Sequence, residues 1–189
     1  MRKMIVQEWI SLDGFAADRN GTTKFFEDPK YNEGLNDEML KLFEEVDTTL
    51  LGAKTYKLFS GFWPTADPEQ EPIAPRLNAL PKIVFSKTLK EASWGPATIR
   101  RDDVADAVRE LKQQEGRDMI MWGSLTLVKR LAEEDLVDEY WITIVPSFIG
   151  EGRKFIPESL EITDTELLES KALPTGILYL KYRPKSRNK

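Results

Sequence analysis

The tetrapeptide Met119-Ile120-Met121-Trp122 carries no polar side chain. It runs straight into Gly123-Ser124 and then into the apolar helix face Leu125, Leu127, Val128 and Leu131. A strand that is apolar at every position is buried on both faces, and chains achieve that with a parallel sheet covered by helices on each side. The same strand-then-helix order recurs along the sequence. Met4 to Leu12 alternates as a strand and is broken by Asp13-Gly14. Asn36 to Val46 has apolar residues at helical spacing, with Asn36 as its expected cap. Thr48 to Leu51 is a short buried strand ending at Gly52, and a brief helix follows over Lys54 to Phe59. Prolines at 64, 68, 72, 75 and 81 predict a loop from Gly61 to Pro81, with a helical turn near Arg76-Leu77-Asn78. Lys82 to Ser86 and Thr98 to Arg100 are strands. Val104, Ala107, Val108 and Leu111 mark a helix opened by Asp102 or Asp103 and closed by Gly116. Asp138 to Val145 is a long strand, and Leu160 to Leu173 with Gly176 to Tyr182 read as a closing antiparallel pair. The expected class is α/β, a largely parallel sheet flanked by helices with an antiparallel C-terminal edge. A chain of 189 residues has the size of one domain, 1–189, in which 183–189 reads as a flexible tail.

Two absences restrict the chemistry. Without cysteine the chain has no disulfide, thiol nucleophile or thiolate metal site, and without histidine it has no imidazole base or histidine-ligated metal. No metal is expected. Proton transfer falls to carboxylates, Lys, Tyr, Ser/Thr or water, or an organic cofactor carries the hard step. A net charge of −5 argues against nucleic acid or a membrane surface as partner. The N-terminal apolar run is too short for a signal peptide and no stretch reaches the ~18 apolar residues of a membrane helix, so the cytoplasm is the expected location.

The strand ends carry donors. Gly123-Ser124 and Gly52-Ala53-Lys54-Thr55 each join a strand to a helix, where backbone amides and the positive helix end can receive a phosphate. Ser86-Lys87-Thr88 follows a third strand and Asp13-Gly14 a fourth. Together they would line one edge of an open sheet, where α/β folds bind dinucleotides. Any one junction is more simply an ordinary turn, and Asp13 is equally well a turn residue.

These segments resemble the dihydrofolate-reductase-like superfamily, and most closely the reductase domain of the bifunctional riboflavin-biosynthesis deaminase–reductase and its stand-alone bacterial relatives. The matching motifs are residues 11–18, Leu51-Gly52-Ala53-Lys54-Thr55-Tyr56, Leu77 to Lys82 with Phe85 to Leu89, Trp122-Gly123-Ser124, Leu136 to Glu139, Pro146, and Ile149-Gly150-Glu151-Gly152. The resemblance implies an eight-stranded mixed, mostly parallel sheet, NADPH as hydride donor with NADH not excluded, and a homodimer. It implies cofactor contacts at Gly52, Lys54, Thr55, Ser86, Lys87, Gly123, Ser124, Leu125 and Thr126. It places Asp13 beside the nicotinamide as a candidate catalytic group. Asp13, Phe15, Phe26 and Trp63 are candidate contacts for a small heterocyclic substrate. Phe25 and Phe62 are further candidates for stacking, and core or dimer packing explains all these rings as well. Gly150 to Lys154 reads as a flexible loop that could bring cations to a phosphorylated substrate.

The chain departs from the family pattern at three positions: Ala53 stands for an arginine, Ser124 for the second glycine of a Gly-Gly pair, and Phe15 for a lysine. The activity implied is hydride transfer from NAD(P)H to a pterin- or pyrimidine-like substrate, as in 5-amino-6-(5-phosphoribosylamino)uracil reductase. The alternatives are dihydrofolate reduction, a non-catalytic dimeric ligand-binding module, and an interaction protein whose aromatics form a dimer face. Asp37 and Glu38, at the start of the first helix, are weak candidates for a proton donor.

Overall fold

The structure is a computed structural model that describes residues 1–156 and 163–185. In chain order its elements are β1 (Met4–Ser11), β2 (Phe15–Asp18), α1 (Leu35–Glu45), β3 (Val46–Gly52), α2 (Ala53–Ser60), α3 (Ala74–Ala79), β4 (Lys82–Phe85), β5 (Ala97–Arg100), α4 (Val104–Lys112), β6 (Asp118–Trp122), α5 (Leu125–Glu133), β7 (Glu139–Val145), β8 (Gly152–Lys154), β9 (Thr165–Ala172) and β10 (Leu178–Pro184). The main sheet has eight strands in the order β5-β4-β3-β6-β1-β7-β10-β9. The first six in that order are parallel, and β10 runs antiparallel to both β7 and β9. This is the mostly parallel eight-stranded sheet with an antiparallel C-terminal edge that the resemblance implies.

The apolar strand β6 lies between β3 and β1, near the middle of the sheet. Its side chains alternate between two cores. Ile120 and Trp122 join Ile5 of β1 with Leu35, Met39, Leu42 and Phe43 of α1, Tyr56 of α2 and Leu77 of α3. Met119 and Met121 join Met4 and Val6 of β1 with the apolar faces of α4 and α5. The absence of polar residues in β6 follows from this, because helices cover it on both sides.

Several local expectations change. Asn36 lies inside α1, whose cap is Gly34 in the left-handed region with no side-chain bond. Of the two candidate caps for α4, Asp103 accepts from the Ala105 amide at 2.8 Å. The helical turn expected near Arg76-Leu77-Asn78 is present as α3, with Leu80 as its C-cap. Lys82 Nζ donates to the carbonyls of Leu77, Asn78 and Leu80 at 2.7–3.0 Å and lies over the Trp94 ring. The expected loop 150–154 holds β8, which pairs with β2 in a small second sheet. Gly152 is required there, since a Cβ would lie 2.0 Å from the Ala17 carbonyl oxygen. Residues 183–185 of the expected tail are held in place: Arg183 and Pro184 pair with Glu166 and Thr165, and the Lys185 amide donates to the Asp164 carbonyl. Residues 160–162 of the expected closing pair and 186–189 of the tail fall outside the described residues. Among the described residues no helix is long and apolar enough to cross a membrane.

Candidate active site

Because β1, β3, β4, β5, β6 and β7 are parallel, their C-terminal ends share one edge. Gly52 of β3 pairs with Phe85 of β4, which pairs with Arg100 of β5, so Ala53, Ser86 and Arg101 come next in line along it. On the other side of Gly52, three residues from two strand–helix turns lock together. The Ser124 hydroxyl accepts the Gly52 amide at 2.8 Å and lies 3.1 Å from Thr55 Oγ1, which also accepts the Ser124 amide at 3.1 Å. Gly123 and Ser124 both have left-handed φ, +56° and +57°. A Cβ on Gly123 would lie 3.1 Å from Thr55 Oγ1. The openings of α2 and α5 are therefore tied side by side. Neither helix has a side-chain cap; in α5 the Leu127 amide bonds the Ser124 carbonyl at 2.7 Å, and the amides before it have no side-chain acceptor, with the positive helix end behind them.

Around this cradle the sequence candidates take distinct places. Lys54, Lys87 and Thr126 are exposed. Leu125 is half-buried and packs at the edge of the α4/α5 core. Ser86 Oγ accepts the Leu89 amide at 2.9 Å and shapes the turn after β4. Asp13 joins two loops: its carboxylate accepts from Ser11 Oγ at 2.6 Å and from the Gly150 amide at 2.8 Å. Burial opposes its ionisation, but the bonds from Ser11, Gly150 and Ile149 outweigh it and hold the carboxyl below its usual range. Asp13 is thus an ionised loop fastener, ill suited to give up a proton at neutral pH. Phe15 lies in β2, opposite Lys154.

The stacking candidates separate into two groups. Phe26 packs on Trp9 at 5.0 Å and on Phe25 at 4.9 Å. Trp63 packs instead with Phe59 and Phe62 beside α2. Both groups pack on the core that faces α1, α2 and α3, and Trp9 of the first lies two residues before the end of β1. Glu38 on α1 is paired with Lys41 and Lys171, each at 2.8 Å. Desolvation raises its pKa, but these two ammonium groups prevail and keep it low. Glu38 is therefore ionised as well.

The RibD C-terminal domain family matches residues 2–179. The chain belongs to that family. Among curated relatives, this RibD C-terminal domain protein is 27% identical to the uncharacterized protein YyaP of Bacillus subtilis (strain 168), over 96% of this chain and 94% of that one. Among solved structures, a putative riboflavin biosynthesis protein from Shewanella sp. PV-4 superposes with a TM-score of 0.78 at 21% identity, over 97% of this chain and 99% of that one. The Thermotoga maritima diaminohydroxyphosphoribosylaminopyrimidine deaminase/5-amino-6-(5-phosphoribosylamino)uracil reductase gives 0.68 at 13% identity, over 97% of this chain and 57% of that one. Dihydrofolate reductase from Enterococcus faecalis gives 0.58 at 13%, over 97% of each chain. At these identities the structural matches establish the fold, a RibD-type reductase fold.

Two residues of this RibD C-terminal domain escape a reading of its motifs. Arg101 donates to the carbonyls of Ser86 and Leu89 at 3.0 and 3.1 Å, and no carboxylate pairs with it among the described residues. It stands as a free cation at the Ser86-Lys87 turn. The double arginine after a strand was its only trace in the sequence. The second is Glu8 in β1, which is 7% exposed on the α4/α5 side of the sheet, with Val6 and Ile10 as its neighbours on that face. Its trace was an acid inside a mostly apolar strand.

Proposed function

We propose that this protein is an NAD(P)H-dependent reductase that transfers a hydride to a small pterin- or pyrimidine-like heterocycle, in the manner of 5-amino-6-(5-phosphoribosylamino)uracil reductase. The observation that carries this reading is the pair of uncapped helix openings, α2 and α5, fixed together by Gly52, Thr55 and Ser124. Backbone amides at the head of a helix together with its positive end suit a pyrophosphate. The residues present fit NADPH. The amides of Leu125 and Thr126 and the first turn of α2 would hold the diphosphate. Lys54, Lys87 and Arg101 would supply positive charge for a 2′-phosphate, in place of the arginine that Ala53 removes.

When bound, the dinucleotide supplies the hydride. The chain's own part is to bind, orient and exclude water, which a protein without histidine can do. Trp9, Phe25 and Phe26 offer half-buried rings for a flat substrate at the end of β1. Asp13 braces the two loops that frame that end. Glu38, ionised between two lysines, is not a dihydrofolate-reductase-type acid, and this favours a pyrimidine substrate over dihydrofolate.

The test is titration with NADPH and with NADH, read by nicotinamide fluorescence. NADPH binding tighter than NADH, weakened by about tenfold in Thr55→Ala and brought toward the NADH value in Arg101→Ala, is expected for loss of one charge-assisted contact. If the wild type binds neither nucleotide at millimolar concentration, the reductase reading fails.

A further inference from the structure

Glu8 is the buried acid that the proposed chemistry leaves unused. It precedes Trp9 on β1, the strand that lies beside β6 with Gln7 opposite Trp122, so Glu8 comes level with Gly123. Its surroundings are apolar: Val6, Ile10, Met121, Leu125 and Ile142 belong to or pack on the core of that face. Its Oε1 accepts weakly from its neighbour's amide, Trp9 N, at 3.3 Å. Its Oε2 is fully buried and has no hydrogen-bond partner. Buried polar atoms are rarely left without a partner, and each such atom calls for an explanation. This one lies beneath Gly123, at the turn that opens α5, where the first-turn amides also lack a side-chain cap.

We propose that Glu8 is a ligand-binding residue of the nucleotide site, giving from Oε2 a hydrogen bond to an acceptor group of the dinucleotide seated at the head of α5. The inference rests on the reductase reading above. A carboxyl that donates must carry its proton, and the environment provides for that. Burial pushes Glu8 up to about 8, against the smaller opposing pull of the Trp9 and Gly123 amides. Among the described residues no charged side chain from β6, β7, α5 or any other element acts on it. A protonated Glu8 also presents no negative charge to a phosphate-bearing ligand. An ionised one would repel it through a poorly screened interior. Ligand binding and the Glu8 proton are therefore linked: the bound state retains the proton to higher pH than the free state does.

The experiment is calorimetric titration of wild type, Glu8→Gln and Glu8→Leu with NADPH and NADH from about pH 6.5 to about pH 9.5, in two buffers of different ionisation enthalpy. Melting temperatures confirm that each variant is folded. For the wild type, affinity for both nucleotides is expected to be level at the acid end and to fall above about pH 8, by at most about tenfold per pH unit, with proton uptake on binding there. Glu8→Gln keeps a donor and is expected to bind without that fall or that uptake. Glu8→Leu has no donor and is expected to bind about tenfold or more weakly at every pH while remaining folded. A Glu8→Gln profile that follows the wild type, or wild-type affinity in Glu8→Leu, overturns the assignment of Glu8 and leaves the reductase reading standing. Absence of nucleotide binding by the wild type across the whole range overturns both.

Discussion

Ser124 shows what a single hydroxyl does at the candidate site. A non-glycine residue in the left-handed region costs roughly 1–2 kcal/mol. Here the side chain offsets that cost, because its oxygen satisfies the Gly52 amide and meets Thr55, joining β3, α2 and α5 at one point. Ser124→Ala keeps the backbone cost and leaves the Gly52 amide without its partner. It is expected to lose about 1–2 kcal/mol in urea denaturation, with an unchanged dependence on denaturant. A loss below about 0.3 kcal/mol would mean that water replaces the hydroxyl without penalty. Gly52, Thr55, Gly123 and Ser124 were legible as a site from sequence because strand–glycine–helix junctions are local features. Glu8 and Arg101 were not. The importance of Glu8 depends on β6 and β7 closing over it from more than a hundred residues away, and alternation in β1 says only which face it takes. Arg101 gains meaning only once β5 stands beside β4.

At the level of elements, most segments were readable, the short β4, β5 and α2 among them, and the exceptions were β2 and β8. α4 and α5 announce themselves by apolar residues at helical spacing, and β3 and β6 by short unbroken apolar runs that end at glycine. β2 and β8 have no such pattern. They are short, they form a sheet only with each other, and the Asp13–Gly150 bond that sets their approach spans 137 residues of sequence. Asp13 is thus the residue that makes an element out of a loop. Asp13→Ala leaves the Ile149 and Gly150 amides without their acceptor and is expected to cost about 1–3 kcal/mol. The effect should also be local: hydrogen exchange should quicken across Phe15–Asp18 and Gly152–Lys154 before it does in β6. Uniform exchange across the sheet would mean that the small sheet is held by its own pairing, and Asp13 would lose its role as fastener.

For the whole molecule, the alternation of strands and helices together with an apolar central strand sufficed to indicate a parallel sheet covered on both faces. The order β3-β6-β1-β7 was not legible, because pairing between distant strands leaves no periodic mark in a single sequence. One global property follows from the centre of that sheet. Glu8 is held near 8 in the native state, and in the unfolded chain it returns to the ordinary glutamate value. Between those values the native form holds the extra proton, so its stability contribution is complete at acid pH and is lost as pH rises toward about 8, by at most about 1.4 kcal/mol per pH unit. The acids lowered by their partners, Asp13, Glu38 and Glu139, act in the opposite sense, and their contribution is already complete above the ordinary carboxylate range. Lys82, lowered to about 8 by burial, raises stability only as pH climbs beyond that value. Glu71, raised by burial, acts in the same sense as Glu8; from about pH 5 to about pH 7.5 loss of the Glu8 contribution is expected to lower wild-type stability by up to about 3 kcal/mol in urea denaturation. Glu8→Gln has no proton to lose there and should hold a more nearly level stability across the same interval. Parallel curves for the two proteins would place the Glu8 proton outside this interval, and the carboxyl would then be ionised in the folded protein at neutral pH.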